Sequence, residues 1–206
     1  MTGTSASDPG AATHGASESL STVDLLWIPL GAGTSVPTVR WSGRAYEALV
    51  SARERRERLD LYHAALELSV DGDHYVVEMT PAWGPAHQPH AVASGPVGMR
   101  PLGRFPLFRY EVHCTRDGVI PDRDHAVTVH RVSQAEEIAR RALALAPRVP
   151  TATWGRDELG TGEMWNSNSV VAWVLSRAGA VTADLAPPAG GRAPGWRGGL
   201  EVAERR

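Results

Sequence analysis

Two short segments carry residue types that could do hydrolytic chemistry. The first is Asn166-Ser167-Asn168-Ser169, which runs straight into Val170-Val171-Ala172-Trp173-Val174-Leu175. Ser167, Val170, Val171, Val174, Leu175 and Ala178 share one face at helical spacing. Ser167 therefore opens an inward-facing stripe at a helix N-terminus, where free N–H groups and partial positive charge favour a developing anion. The second segment, Tyr62-His63-Ala64-Ala65-Leu66-Glu67-Leu68, puts an imidazole at the head of a strand. A hydroxyl needs a well-placed base of that kind to become a nucleophile. Each segment also has a purely structural reading. Asn and Ser are favoured helix caps, and a histidine entering a strand is more often a satisfied structural residue than a base.

The elements that must position these residues can be read along the chain. Residues 1–22, rich in Ala, Ser, Thr and Gly, are expected to be a disordered arm. Val23 to Leu30 reads as a strand with Pro29 at an edge or end. A helix is expected from about Gly43 to Leu59, its second half carrying the mixed charges of Arg53-Glu54-Arg55-Arg56-Glu57-Arg58 as a solvated, self-paired face. Leu61–Val70 and Tyr75–Thr80 flank Asp71-Gly72, a strong hairpin turn signal. With a two-residue turn, Ala65 pairs with Glu78, and His63, Glu78 and Thr80 share a face. Glu78 could then orient His63; a three-residue loop would send it to the other face.

Pro81 to Gly103 reads as a long loop, and Leu107 to Cys114 as another strand. A helix is expected over Ser133–Ala146 with Ser133 as N-cap, and a closing helix over Ser167–Ala178 with Gly179 as its stop. Residues 181–206 form a Pro/Gly-rich tail, with Trp196 and Leu200 suggesting that part of it packs on a domain spanning 23–180.

Composition narrows the function classes. A net charge of -2 gives no overall pull toward nucleic acid or anionic lipid. All 21 basic residues are arginine, a composition that points to coding bias. The single cysteine, Cys114, excludes an intrachain disulfide and a thiolate-rich zinc site, and its place on an alternating strand suggests a buried thiol. No apolar run approaches the ~20 residues of a membrane span, and no signal peptide is evident, so a cytoplasmic protein is the expectation. His87-Gln88-Pro89-His90 lacks a second ligand pair for a metal. Gly31-Ala32-Gly33 lacks the rest of a dinucleotide loop, and Gly160-Thr161-Gly162 the lysine of a phosphate loop. Neither a metal nor a cofactor is expected.

Asn166-Ser167-Asn168-Ser169 before an apolar helix resembles the Asn-Cys-Asn-Thr motif of the PPPDE (deSUMOylating isopeptidase-type) family. It also resembles the Asn-Cys-Glu-His motif of the lecithin:retinol acyltransferase-like family. Both are circularly permuted papain-like folds in which a strand-heading histidine precedes the nucleophile, the order of His63 and Ser167. The resemblance covers about residues 23–180 and rests on short motifs. It implies an α+β fold, a small antiparallel sheet packed against helices, and a peptide or acyl substrate. Ser167 would be the nucleophile, His63 the base and Glu78 its orienter, with Asn166, Asn168 and Trp165 near the substrate and oxyanion. The families' cysteine is a serine here. A thiol with pKa near 8.5 is partly ionised at neutrality and a hydroxyl is not. Two readings follow: a Ser-His hydrolase or acyltransferase of amide, ester or thioester bonds, and a non-catalytic scaffold that binds or supports.

Overall fold

The computed structural model describes residues 20–32, 47, 51, 52, 55, 57–83 and 91–205. The greater part of the expected arm, Tyr46, Leu49 and Val50 of the expected helix, the Glu54 end of its charged face, Gly33 and the His87–His90 run lie outside them.

The strands are β1 (Thr22–Pro29), β2 (Asp60–Val70), β3 (Asp73–Pro81), β4 (Ala91–Pro96), β5 (Arg109–Arg116), β6 (Thr128–Ser133) and the two-residue β7 (Gly191–Arg192). The α-helices whose bounds lie within the described residues are α1 (Glu136–Leu145), α2 (Ser167–Ala178) and α3 (Trp196–Glu204). The strands lie in the order β4-β5-β3-β2-β1-β6 with antiparallel neighbours, and β7 adds to β2 in parallel at Asp60 and Leu61. This is a mixed α/β molecule built on an open, largely antiparallel sheet. None of its helices, among the described residues, is long and apolar enough to cross a membrane.

The β2–β3 hairpin follows from its turn. Asp71 and Gly72 both take positive φ, 55° and 85°, as a two-residue turn of matching twist requires. Leu66 consequently pairs with Val77 and Leu68 with Tyr75. Strand alternation then divides the apolar residues between two faces. Leu25, Trp27, Leu66, Leu68, Val77 and Val112 join the helices in the main core, while Leu26, Ile28, Ala65, Val76 and Ile120 form a smaller cluster on the other face.

Helix α2 is apolar nearly all round because it is covered nearly all round. The sheet lies beneath it, and α1 and α3 flank it. Close approach of α3 depends on Gly199, where a Cβ would stand 2.3 Å from the Ser169 carbonyl oxygen. Trp196 of α3 reaches through to Trp27 of β1, with ring centroids 4.9 Å apart. The Pro/Gly-rich stretch after residue 180 is thus built into the body, supplying both β7 and α3.

Three expectations are corrected. The loop expected over Pro81–Gly103 contains β4, an edge strand whose Gly95 lies where a Cβ would strike the Tyr110 ring at 2.4 Å. Strand β6, absent from the sequence reading, pairs along β1. Ser133 does not cap the following helix. Its backbone is committed to the sheet opposite Val23, its hydroxyl accepts from the Ala135 amide, and α1 begins only at Glu136.

Candidate functional site

The head of α2 is fixed by a reciprocal cap. The Asn166 side chain accepts from the Ser169 amide at 3.2 Å, and the Ser169 hydroxyl accepts from the Asn166 amide at 3.1 Å. The capping chemistry expected of this motif therefore belongs to its first and last members. Ser167 is released from it, at the first helical position, and is 8% exposed. The Val170 amide bonds the Asn166 carbonyl as the helix begins. Helix geometry leaves the Ser167 and Asn168 amides without intrahelical acceptors.

Asn168 anchors this head to two other parts of the chain. Its side-chain NH2 donates to the carbonyls of Tyr62, at 3.0 Å, and Pro194, at 2.9 Å. The Tyr62 carbonyl is available because the sheet splits there. Pairing of β2 with β3 ends at Leu66 and Val77, whereas β2 follows β1 as far as Tyr62 and β3 follows β5 as far as Pro81. The Leu61 carbonyl accepts from Leu30, toward β1, so that of Tyr62 faces the opening left by β3. The head of α2 fills that gap. Asn166 adds a bond to the Pro194 carbonyl at 2.8 Å, and Gly195, with φ +86°, abuts the cap where a Cβ would meet the Ser169 hydroxyl at 2.5 Å.

Beside this junction lies a cavity of about 710 Å³, within the range of small-molecule sites. Asn166, Ser167 and Asn168 form one part of its wall and Tyr62 and His63 another, while Trp83, Phe108, Trp154 and Met164 give it an apolar lining. The expected nucleophile and base thus line one space. No hydrogen bond joins them among the described residues. His63 Nε2 instead meets the Asp122 carboxylate at 2.8 Å. By alternation His63 shares the second face with Ala65 and with Ile28, its partner on β1, whereas α2 packs on the first. The two faces communicate at the split between β2 and β3.

Asp122 is the functional candidate that sequence reasoning missed. A carboxylate only accepts, so in this pair Nε2 is the donor, and in the neutral tautomer that fits it Nδ1 is the basic nitrogen. Glu78, the expected orienter, falls on the His63 face and is buried, 8% exposed. Burial, reinforced by the charge of Asp122 and only partly opposed by His63, pushes Glu78 up to about 7. A carboxyl that holds its proton so long serves an imidazolium poorly. Trp165, expected near the substrate, is 3% exposed in the main core, whereas Trp154 lines the cavity. Cys114 is partly buried, and burial pushes its thiol up to about 11. Among the described residues no group of His, Cys, Asp and Glu has the geometry to hold a metal ion.

The Glu78 shift has a measurable consequence. Folded protein keeps a proton there that the unfolded chain releases near pH 4.5. This contribution to stability is complete below that pH and is lost as pH rises through about 7. The loss expected from Glu78 is on the order of 2–3 kcal/mol. Urea unfolding at pH 5 and pH 8 should show it in wild type and not in Glu78→Gln. Equal pH dependence in the two proteins would place the titration elsewhere.

Compared with known proteins, the chain matches no family model, no curated protein and no solved structure.

Proposed function

We propose that the chain is a hydrolase or acyltransferase acting on amide, ester or thioester bonds, built on a circularly permuted papain-like scaffold of the kind its motifs resemble. The observation that carries this reading is the cavity shared by Ser167 and His63, with Asp122 on the far nitrogen of the imidazole. In the reaction Ser167 Oγ attacks the acyl carbon and its proton passes to His63 Nδ1. The Ser167 and Asn168 amides at the head of α2 receive the developing oxyanion. His63 returns the proton to the departing amine, alcohol or thiol. Water or an acceptor nucleophile then repeats the sequence to release the acyl group from Ser167. The apolar walls formed by Trp83, Phe108 and Trp154 suit the body of the acyl group.

A specific observation favours a second reading, a non-catalytic binding protein on the same scaffold. His63 alternates onto the face away from α2, and no hydrogen bond connects it to Ser167 among the described residues. On this reading the cavity holds its ligand without covalent chemistry.

Labelling of intact protein with a fluorophosphonate separates the two. A catalytic site is modified at Ser167, and Ser167→Ala abolishes labelling while thermal stability stays nearly unchanged, because Asn166 and Ser169 supply the cap. Wild-type protein that resists the probe while retaining an accessible cavity supports the binding reading. Labelling that survives Ser167→Ala removes Ser167 as nucleophile.

A further inference from the structure

We propose that the segment Val97–Arg109 docks the protein on an anionic lipid surface, with the mouth of the cavity facing the headgroups. The segment leaves β4, makes two short 3-10 turns at Arg100–Arg104 and Pro106–Phe108, and enters β5. No residue in either turn is buried. Met99, Phe105 and Leu107 are 54%, 47% and 59% exposed, an unusual run of large apolar side chains to leave in water. Short bonded turns hold them out: Leu102 to Met99, Phe105 to Leu102 and Phe108 to Phe105. Trp83, 42% exposed, stands with Leu107 and Phe108 in the wall of the cavity, so the apolar run continues into it.

Charge selects the occupant. Residues 97–109 carry Arg100, Arg104 and Arg109 and not one carboxylate. Arg100 shares its charge with Glu158, and Arg104 lies over the Phe105 ring at 4.8 Å to the centroid. Arg156 borders the cavity, its Nε donating to the Gly98 carbonyl at 2.8 Å. Exposed apolar tips set among arginines are the pattern of a surface that enters the interfacial zone of a bilayer. Apolar groups sink to the acyl boundary and guanidinium groups remain with phosphates. A protein partner would meet the same apolar tips, but the local excess of arginine in a chain of net charge -2 favours an anionic surface. This inference does not depend on whether Ser167 is a nucleophile.

Co-sedimentation of the full chain with vesicles tests it. Phosphatidylcholine vesicles with about a third phosphatidylglycerol should retain the protein, and raised salt should weaken that retention. Met99→Ser with Phe105→Ser changes exposed residues that do not line the cavity, so melting should be unaltered. Vesicle affinity should nevertheless fall about tenfold or more. Arg104→Glu should lower binding to anionic vesicles and leave the residual binding to pure phosphatidylcholine unchanged. Folded wild-type protein that ignores anionic vesicles overturns the proposal. So does binding that survives the double serine variant. Sedimentation velocity provides a further arm: a dimer in wild type that dissociates in the serine variant would assign this face to a second copy of the chain.

Discussion

Ser167→Cys is expected to produce a thiol that reacts with iodoacetamide at pH 7 at least about tenfold faster than Cys114. The comparison is internal to one protein. Cys114, pushed up to about 11 by burial, is ionised at pH 7 in roughly one molecule in ten thousand. An unperturbed thiol is ionised to about 3%, and the head of α2 favours the anion further. The more basic thiolate is intrinsically the better nucleophile, which returns roughly a factor of ten to Cys114. The ionised fraction still decides the outcome. Mass spectrometry of the two alkylated peptides measures it, with Cys114→Ala as control. Adding His63→Ala to Ser167→Cys then asks whether the imidazole reaches this position. A lowered rate at pH 7 supports the catalytic arrangement. An unchanged rate supports the strand parity that directs His63 to Asp122. An introduced thiol no faster than Cys114 would show that α2 activates nothing.

Asn168→Ala should cost about 1–3 kcal/mol of folding free energy. Its side chain satisfies two buried carbonyls, on Tyr62 and Pro194, that have been withdrawn from water. Removing the donor strands the Tyr62 carbonyl, and a buried acceptor left unpaired costs about 1–3 kcal/mol, whereas the Pro194 carbonyl keeps its bond from Asn166. Urea denaturation measures the change, and a loss below about 1 kcal/mol would mean that water enters the split and replaces the amide. Ser167→Ala one residue away should cost far less, since no hydrogen bond of its hydroxyl is lost among the described residues. The contrast between neighbours separates a residue that builds the site from one that the proposed reaction would use.

Much of this arrangement can be read from sequence where local rules govern it. Asp71-Gly72 imposes the hairpin register, and with it the common face of His63 and Glu78. The stripe from Ser167 to Ala178, with Gly179 at φ 88°, marks both ends of α2. What escaped depends on partners remote in the chain. Asp122 lies in a loop, where no periodicity marks a residue, and its meaning comes from His63 across the fold. Strand β6 alternates buried and exposed residues only weakly, because among the described residues it forms an edge with β1 alone paired to it. Helix α3 hides in a glycine-rich stretch, since Gly195, Gly198 and Gly199 give up side chains to let the chain approach Ser169 and Thr161. Sequence composition reads such glycines as looseness, and contact makes them necessary. The two caps of the Asn-Ser-Asn-Ser motif are locally decided, yet which serine caps and which is released becomes plain only in three dimensions.

The pairing of β7 with the first residues of β2 places a condition on the order of assembly. Asp60 and Leu61 must wait for Gly191 and Arg192, and the Tyr62 and Pro194 carbonyls share one amide, that of Asn168. Contacts spanning so much of the chain slow the search for the native state, because loop entropy is lost before the contacts repay it. A partly folded chain holding the β2–β3 hairpin and α2 would still lack the wall at Pro194. The cavity therefore exists only in the finished fold. A molecule that filled it could not template early steps but could hold the final one closed, so its binding should appear chiefly as slower unfolding rather than faster folding.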